Sequence, residues 1–340
     1  MAKKNNVEIV FRVDSGPSVG MGHIYRCLSL AIALQEKYTV AFFLNEESHT
    51  EMAMLKKHNF NITAVPRTEE LAFLDQLNGD EVVIMDGYIF TGAFQLLVKQ
   101  KGCKLVFIDD MASFKQVADI VINHAANASQ MPYSHMPYTR MLLGPGYALL
   151  RPYFMQKHVA VQPVFPPKTV MVTMGGLDET NLTCKFVKWC SGFSSIKKIH
   201  VVCGPLYAFD HTLETIQGKA EITVHKNIDE QQMGAMMLGS DCIICTASVT
   251  LIEAIALGRL CLAGYSVANQ HNNYTSLMEK KVMVGLGNLH TLEQSDFSER
   301  LGGITASEWE DFRKNMNGFV DGNSISRIVT EIEKLTMNNN

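Results

Sequence analysis

Short apolar runs alternate along this chain with longer segments whose apolar positions recur at helical spacing. In the first half, Val7 to Val13, Thr39 to Leu44, Asn61 to Val65, Glu81 to Met85, Lys104 to Ile108 and Asp119 to Ile122 read as strands. Segments between them, such as His23 to Glu36 and Ser48 to His58, read as helices. The rhythm restarts in the second half, where Lys168 to Met174, Lys197 to Cys203, Glu221 to Val224, Asp241 to Cys245, Leu260 to Ala263 and Met283 to Leu286 read as strands. From Ala306 onward the pattern is helical, with Ser307-Glu308-Trp309-Glu310 as an opening signal. Buried strands that take turns with helices in this way predict parallel, doubly wound sheets.

Between the halves, Gln162-Pro163-Val164-Phe165-Pro166-Pro167 can continue neither a helix nor a central strand and reads as a linker. At 340 residues the chain fits two domains. The expected division is an N-terminal Rossmann-like domain over 1–161, a C-terminal one over 168–303 and a helical segment over 304–340. With 47% hydrophobic and 19% charged residues and a net charge of −4, the composition is globular and gives no general affinity for nucleic acid. An anionic ligand would therefore have to be held by local dipoles and a few cations. No apolar run is long enough to span a bilayer, and Met1-Ala2-Lys3-Lys4-Asn5-Asn6 lacks the apolar core of a secretory signal. The expectation is a cytoplasmic protein without stable membrane insertion. The eight cysteines are scattered, mostly through apolar runs, as reduced buried thiols are. Cys242 and Cys245 have C-x-x-C spacing but lie in a strand run with no second pair nearby. No H-E-x-x-H, H-x-x-E-H or Asp-x-Asp occurs, so neither a metal nor another cofactor is expected.

The densest candidate chemistry follows the first strand, in Arg12-Val13-Asp14-Ser15-Gly16-Pro17-Ser18-Val19-Gly20-Met21-Gly22-His23-Ile24-Tyr25-Arg26. Gly16, Gly20 and Gly22 would let backbone N–H groups approach a ligand, the helix start favours negative charge, and His23 can move a proton near neutral pH. The spacing matches neither a dinucleotide fingerprint nor a Walker loop, and a tight strand-to-helix connection explains the glycines equally well. Ligands of open parallel sheets sit beyond the carboxyl ends of the strands. Asp14, Asp86-Gly87-Tyr88 and Asp109-Asp110 fall there, as chemistry or as caps and turn formers. In the second half, Met174-Gly175-Gly176-Leu177-Asp178 could cradle a diphosphate ahead of a helix. Ser248, Val249 and Thr250 open another helix, with Glu253 one turn in, either as a ligand for a ribose diol or as a solvated surface carboxylate. Asn269-Gln270-His271-Asn272-Asn273 offers amides for sugar hydroxyl or acetamido groups, or is simply a polar helix start. His200, inside a strand, reads as structural.

In shared order, Phe11 to Ser15, Gly20 to Arg26, Asp86 to Tyr88, Gly146 to Arg151, Met174 to Asp178, Ala247-Ser248 with Glu253-Ala254, and Asn269-Gln270 resemble the nucleotide-sugar hydrolases of pseudaminic acid biosynthesis. The resemblance runs from about Val7 to Leu286. It implies an α/β, GT-B-like fold of two Rossmann-like doubly wound domains with a cleft between them. It further implies hydrolysis of UDP-2,4-diacetamido-2,4,6-trideoxy-β-L-altropyranose to UDP and the free sugar, by water attack at the anomeric carbon with inversion and without a metal. His23 takes the place of the general base, and Tyr88 and Asn269 orient sugar or water. Asp14, Gly20, Gly22, Arg26, Gly175, Gly176, Asp178, Ser248, Val249, Glu253 and Gln270 take substrate-binding places. The polar run after Asn269 departs from a fixed signature, and relatives of this fold process other diacetamido sugars or, like the MurG group, transfer the sugar to an acceptor.

Overall fold

Each apolar run expected to be a strand forms one, and every strand pairs in parallel with its neighbours. The computed structural model describes residues 7–16, 19, 21–67, 70–155, 163–176, 178–204 and 207–337. In the first half β1 (Glu8–Val13), α1 (Gly22–Leu34), β2 (Thr39–Asn45), α2 (His49–Lys56), β3 (Asn61–Val65) and α3 (Glu70–Leu74) succeed one another. They are followed by β4 (Val82–Asp86), α4 (Gly92–Gln100), β5 (Lys104–Ile108), β6 (Ile120–Asn123) and β7 (Arg140–Leu143). The sheet order is β3-β2-β1-β4-β5-β6-β7, so the strand order reverses direction between β1 and β4. β7 was not among the expected strands; its Arg140-Met141-Leu142-Leu143 is too short and too polar at its start to stand out from a loop.

Both faces of this sheet are covered, which explains the unbroken apolar runs. Ile9, Phe11 and Val13 of β1 pack with Ile24, Cys27, Leu28 and Ala31 of α1. Val10 points the other way, into a layer with Phe43 of β2, Phe73 of α3 and Phe94 and Val98 of α4.

The second half comprises α5 (Pro152–Met155), β8 (Thr169–Thr173), α6 (Leu182–Ser191), β9 (Lys198–Cys203), α7 (Asp210–Glu214), β10 (Glu221–Lys226) and α8 (Glu230–Gly239). It continues through β11 (Cys242–Thr246), α9 (Val249–Ala256), β12 (Cys261–Tyr265), α10 (His271–Glu279), β13 (Val284–Asn288), α11 (Gln294–Gly303) and α12 (Ala306–Met316). Its sheet order, β10-β9-β8-β11-β12-β13, reverses between β8 and β11. The cap of α12 is Thr305, in a reciprocal box with Glu308, two residues ahead of the expected Ser307.

The chain divides into one unit of Met1–Arg151 with Asn323–Asn340 and another of Pro152–Gly322. This differs from the expected boundaries at 161 and 168, and the reason is packing: buried Phe154 and part-buried Tyr153 of α5 lie against the second unit, where a Cβ on Gly234 of α8 would strike the Tyr153 ring. Proline content marks where the chain cannot be regular, not which core it joins; Gln162, at the head of the expected linker, lies outside the described residues. The expected helical tail is likewise split. α11 and α12 stay with the second unit, whereas α13 (Ser324–Met337) returns to the first and packs on α1.

α13 is held by Ile328 and Ile332, both fully buried in the core around β1 and α1, and by ion pairs of Glu331 with Arg140 and Glu333 with Lys37. Ser324 Oγ donates to Ala148 O at 2.5 Å. Ile332→Ala should lower unfolding free energy by about 2–5 kcal/mol, read by chemical denaturation; Lys37→Ala, whose ion pair is solvent-screened, should leave it nearly unchanged.

Candidate active site

Asp14 ends the strand run of β1 and Gly87 follows β4, so both stand where the order of the first sheet reverses. Such a point leaves a crevice at the carboxyl ends of the strands. Asp14 N donates to Asp86 O at 2.8 Å. Gly87 adopts φ +154°, and a Cβ there would lie 2.3 Å from that of Asp14. Glycine is what allows the two loops to meet this closely.

α1 starts at Gly22, with no side-chain cap and no acidic residue in its first turn. Its orphan N–H groups and dipole therefore remain positive. His23, only 7% exposed, lies edge-on to the Tyr88 ring with centroids 4.9 Å apart. Its Nδ1 is buried and has no hydrogen-bond partner among the described residues.

One turn further, Arg26 is buried and forks between two carboxylates. Its Nε and NH2 donate to Asp86 at 2.6 and 2.5 Å, and its NH1 donates to Asp110 at 2.9 and 3.0 Å. The Cys27 thiol also donates to Asp86, and the half-exposed Tyr88 donates its hydroxyl to Asp110 at 3.2 Å. Burial alone would raise Asp110, but Arg26, His124 and His23 together hold it down at about 2. His124, just past β6, is buried, and its Nδ1 has no hydrogen-bond partner among the described residues. Burial pushes its imidazole down to about 4, with the Arg26 charge adding and the Asp110 and Asp86 carboxylates opposing.

Of the expected site residues, the first unit thus brings together His23, Tyr88, Asp14 and Arg26. Asp14 accepts from Asn45 and from Arg67. Arg26 departs from the substrate-binding role expected of it: its guanidinium is committed to Asp86 and Asp110, so it positions the site rather than meeting a ligand. Gly16 also departs, since its N–H donates to Glu51. Gly22 is exposed with open space around it, and Gly20 lies outside the described residues. Asp109 is a turn former, accepting from Met111 and Ala112, whereas its neighbour Asp110 belongs to the site. Asp110 was a candidate by its place after a strand, which did not separate it from Asp109; His124 escapes sequence reasoning, because what singles it out is its approach to Arg26 and Asp110.

In the second unit the expected residues again flank the reversal, after β8 and β11. Here one expectation fails. Asp178 accepts from Leu182 and Thr183 N–H, and Asn181 accepts from Cys184 N–H, so the start of α6 is already capped from within. Asp178 is a structural cap, and the dipole of α6 is shielded from any diphosphate at Gly175 and Gly176. Those glycines remain open, Gly175 at φ +90°, and a Cβ on Gly204 would strike their carbonyl oxygens.

α9 differs: Ser248 caps it without a side-chain bond, and no acid sits in its first turn. Ser248 and Val249 are part-exposed there, while Glu253 is buried, which removes the solvated-carboxylate alternative. Exposed Asn269 and part-buried Gln270 follow β12, the next strand along, and Asn273 donates to Ala247 O beside α9 at 3.0 Å. The Gln270 carbonyl is engaged by Ser266 N–H at 2.9 Å. Among the described residues no helix is long and apolar enough to cross a membrane.

Two outcomes follow from the buried cluster. Arg26→Met, which strands Asp86 without its counter-charge, should cost about 3–5 kcal/mol in denaturant unfolding. His124 is neutral in the fold and an ordinary imidazole when unfolded, so the unfolded chain takes up the proton first as pH falls. Stability should therefore drop between about pH 6.5 and pH 4, by roughly 3 kcal/mol. His124→Gln should flatten that window in unfolding experiments and leave the drop below about pH 4 that Asp110 contributes.

The protein has the GT-B-like fold of known glycosyltransferases. MurG of Acinetobacter baumannii superposes with a TM-score of 0.63 at 16% identity, covering 96% of this chain and 99% of that one. The calicheamicin glycosyltransferase CalG4 superposes with a TM-score of 0.65 at 12% identity, covering 100% and 99%. No family model matches the chain. In sequence it is 25% identical over 287 residues to an uncharacterized protein of Methanocaldococcus jannaschii, covering 81% of this chain but only 59% of that protein's length. It is 23% identical to the spore coat polysaccharide biosynthesis protein SpsG of Bacillus subtilis, covering 95% of this chain and 96% of that one. It is 26% identical to the UDP-2,4-diacetamido-2,4,6-trideoxy-β-L-altropyranose hydrolase of Campylobacter jejuni, covering 81% and 97%.

Proposed function

We propose that this protein acts on a UDP-linked diacetamido sugar and hydrolyses it to UDP and the free sugar, with UDP-2,4-diacetamido-2,4,6-trideoxy-β-L-altropyranose as the first candidate substrate. The observation that carries this reading is His23: a buried imidazole with an unpartnered Nδ1, at an uncapped helix start, against Tyr88 and in the same cluster as Asp110. The likeness in fold to glycosyltransferases and the sequence likeness to the Campylobacter jejuni hydrolase support it.

His23 takes a proton from water as the water attacks the anomeric carbon, the bond to the UDP oxygen breaks, and the sugar is released with inverted configuration. Asp86 and Asp110 carry two negative charges against the one positive charge of Arg26. The remaining negative charge offsets that of the imidazolium as it forms. Tyr88 and Asn269 orient sugar or water. UDP binds to the second unit, where the open backbone of Gly175 and Gly176 and the uncapped start of α9 at Ser248 and Val249 receive the diphosphate, and Glu253 faces the ribose. The same base would deprotonate an acceptor hydroxyl in a MurG-like transferase, and the fold favours neither reaction.

The test is incubation of the purified protein with this UDP-sugar, without acceptor and with chelator, followed by NMR. Equal release of UDP and free sugar is expected. His23→Gln should lower kcat by about 10²–10⁴-fold, the usual contribution of a general base, with UDP affinity by calorimetry unchanged. Turnover equal to wild type in that variant would remove His23 from the mechanism, and turnover only on addition of an acceptor would make the protein a transferase.

A further inference from the structure

Away from both strand reversals, the outer end of the second sheet carries two histidines on neighbouring strands. β10 is the last strand of that sheet and pairs with β9 so that Thr223 stands opposite His200 and His225 opposite Val202. Residues two apart share a face, so His200, His225, Thr223, Lys198 and Glu221 project to one side. Ile199 and Val201 go to the other, which is the buried one. His200 Nδ1 and His225 Nε2 are 3.1 Å apart, both rings are part-exposed, and the ring centroids are 5.3 Å apart. Lys198 forms an ion pair with Glu221 at 3.5 Å beside them.

We propose that His200 and His225 form a two-imidazole site for a borderline transition-metal ion of the zinc, copper or nickel class, clamping β10 to β9. Imidazole nitrogens bind such ions at about 2.0–2.1 Å. Two nitrogens 3.1 Å apart can both reach one ion at a nitrogen–metal–nitrogen angle of about 100°, close to tetrahedral. Partial burial, and then the Lys198 ammonium, shift both imidazoles toward the neutral form that ligates an ion. In the metal-free pair one ring donates its N–H to the other. Binding moves that proton to the ring's second nitrogen, a tautomer change that releases no net proton. Among the described residues no three His, Cys, Asp or Glu side chains gather as a ligand set, so water completes the coordination sphere. Lys198 works against the cation, which makes it a sensitive reporter.

The test uses the full chain with Cu²⁺ or Zn²⁺ alone. The first equivalent of Cu²⁺ should show electron paramagnetic resonance couplings to two imidazole nitrogens. His200→Asn and His225→Asn should each abolish that signal as completely as the double variant does, because a chelate needs both rings. Lys198→Gln should bind more tightly than wild type. Independent of any variant, substoichiometric Zn²⁺ should shift the side-chain NMR signals of His200 and His225 before those of the other histidines. First-equivalent binding that survives both single substitutions, or that shifts other histidines first, would overturn the site.

Discussion

The first unit depends on a single forked contact: Arg26, buried, held by Asp86 on one side and Asp110 on the other. These two carboxylates lie at the carboxyl ends of β4 and β5, so the guanidinium ties α1 to two strands across the place where strand order reverses. Charges this deep are stable only when paired and fully hydrogen-bonded. Arg26 meets that condition with four donor contacts, and Cys27 and Tyr88 add a fifth and a sixth to the carboxylates. With α1 fixed in this way, His23 is presented one turn earlier, at the positive end of the helix. The close approach of Gly87 to Asp14 sets the floor of the same crevice.

The two units repeat one architecture with different chemistry. Each is a parallel sheet with its candidate residues at the strand reversal, but the first gathers titratable groups and the second gathers open backbone. Helix starts divide accordingly. α4, α6, α8 and α12 are capped by their own Thr91, Asn181, Asp229 and Thr305, while among the described residues α1, α2, α7, α9, α10 and α11 have no side-chain cap. A helix that satisfies its own first turn has little left for a ligand. Two of the uncapped starts, those of α1 and α9, are the ones the proposed reaction uses.

Much of this architecture was legible in the sequence, because strands buried on both faces write their positions as unbroken apolar runs. β1 and β11 are plain in this way, and β7, edge-placed and opened by Arg140, is not. Domain boundaries were less legible: α5 precedes the proline-rich stretch, and only its packing on α8 assigns it to the second unit. His23 and Tyr88 stood out through their motifs. Asp178 and Arg26 also stood out, yet the structure gives them internal partners, because spacing cannot distinguish a side chain that meets a ligand from one that caps a helix. The role of Asp110, a candidate only by its place after a strand, and the presence of His124 needed the fold itself, which brings residues more than eighty positions apart to one guanidinium.

In the proposed reaction His23 directs water to the anomeric carbon rather than to phosphorus. Turnover of the UDP-linked diacetamido altropyranose in water enriched with oxygen-18, with the nucleotide product analysed by mass spectrometry, separates the two routes. Attack at carbon leaves UDP free of heavy oxygen. Heavy oxygen in UDP would place the attack at phosphorus and remove the proposed role of His23.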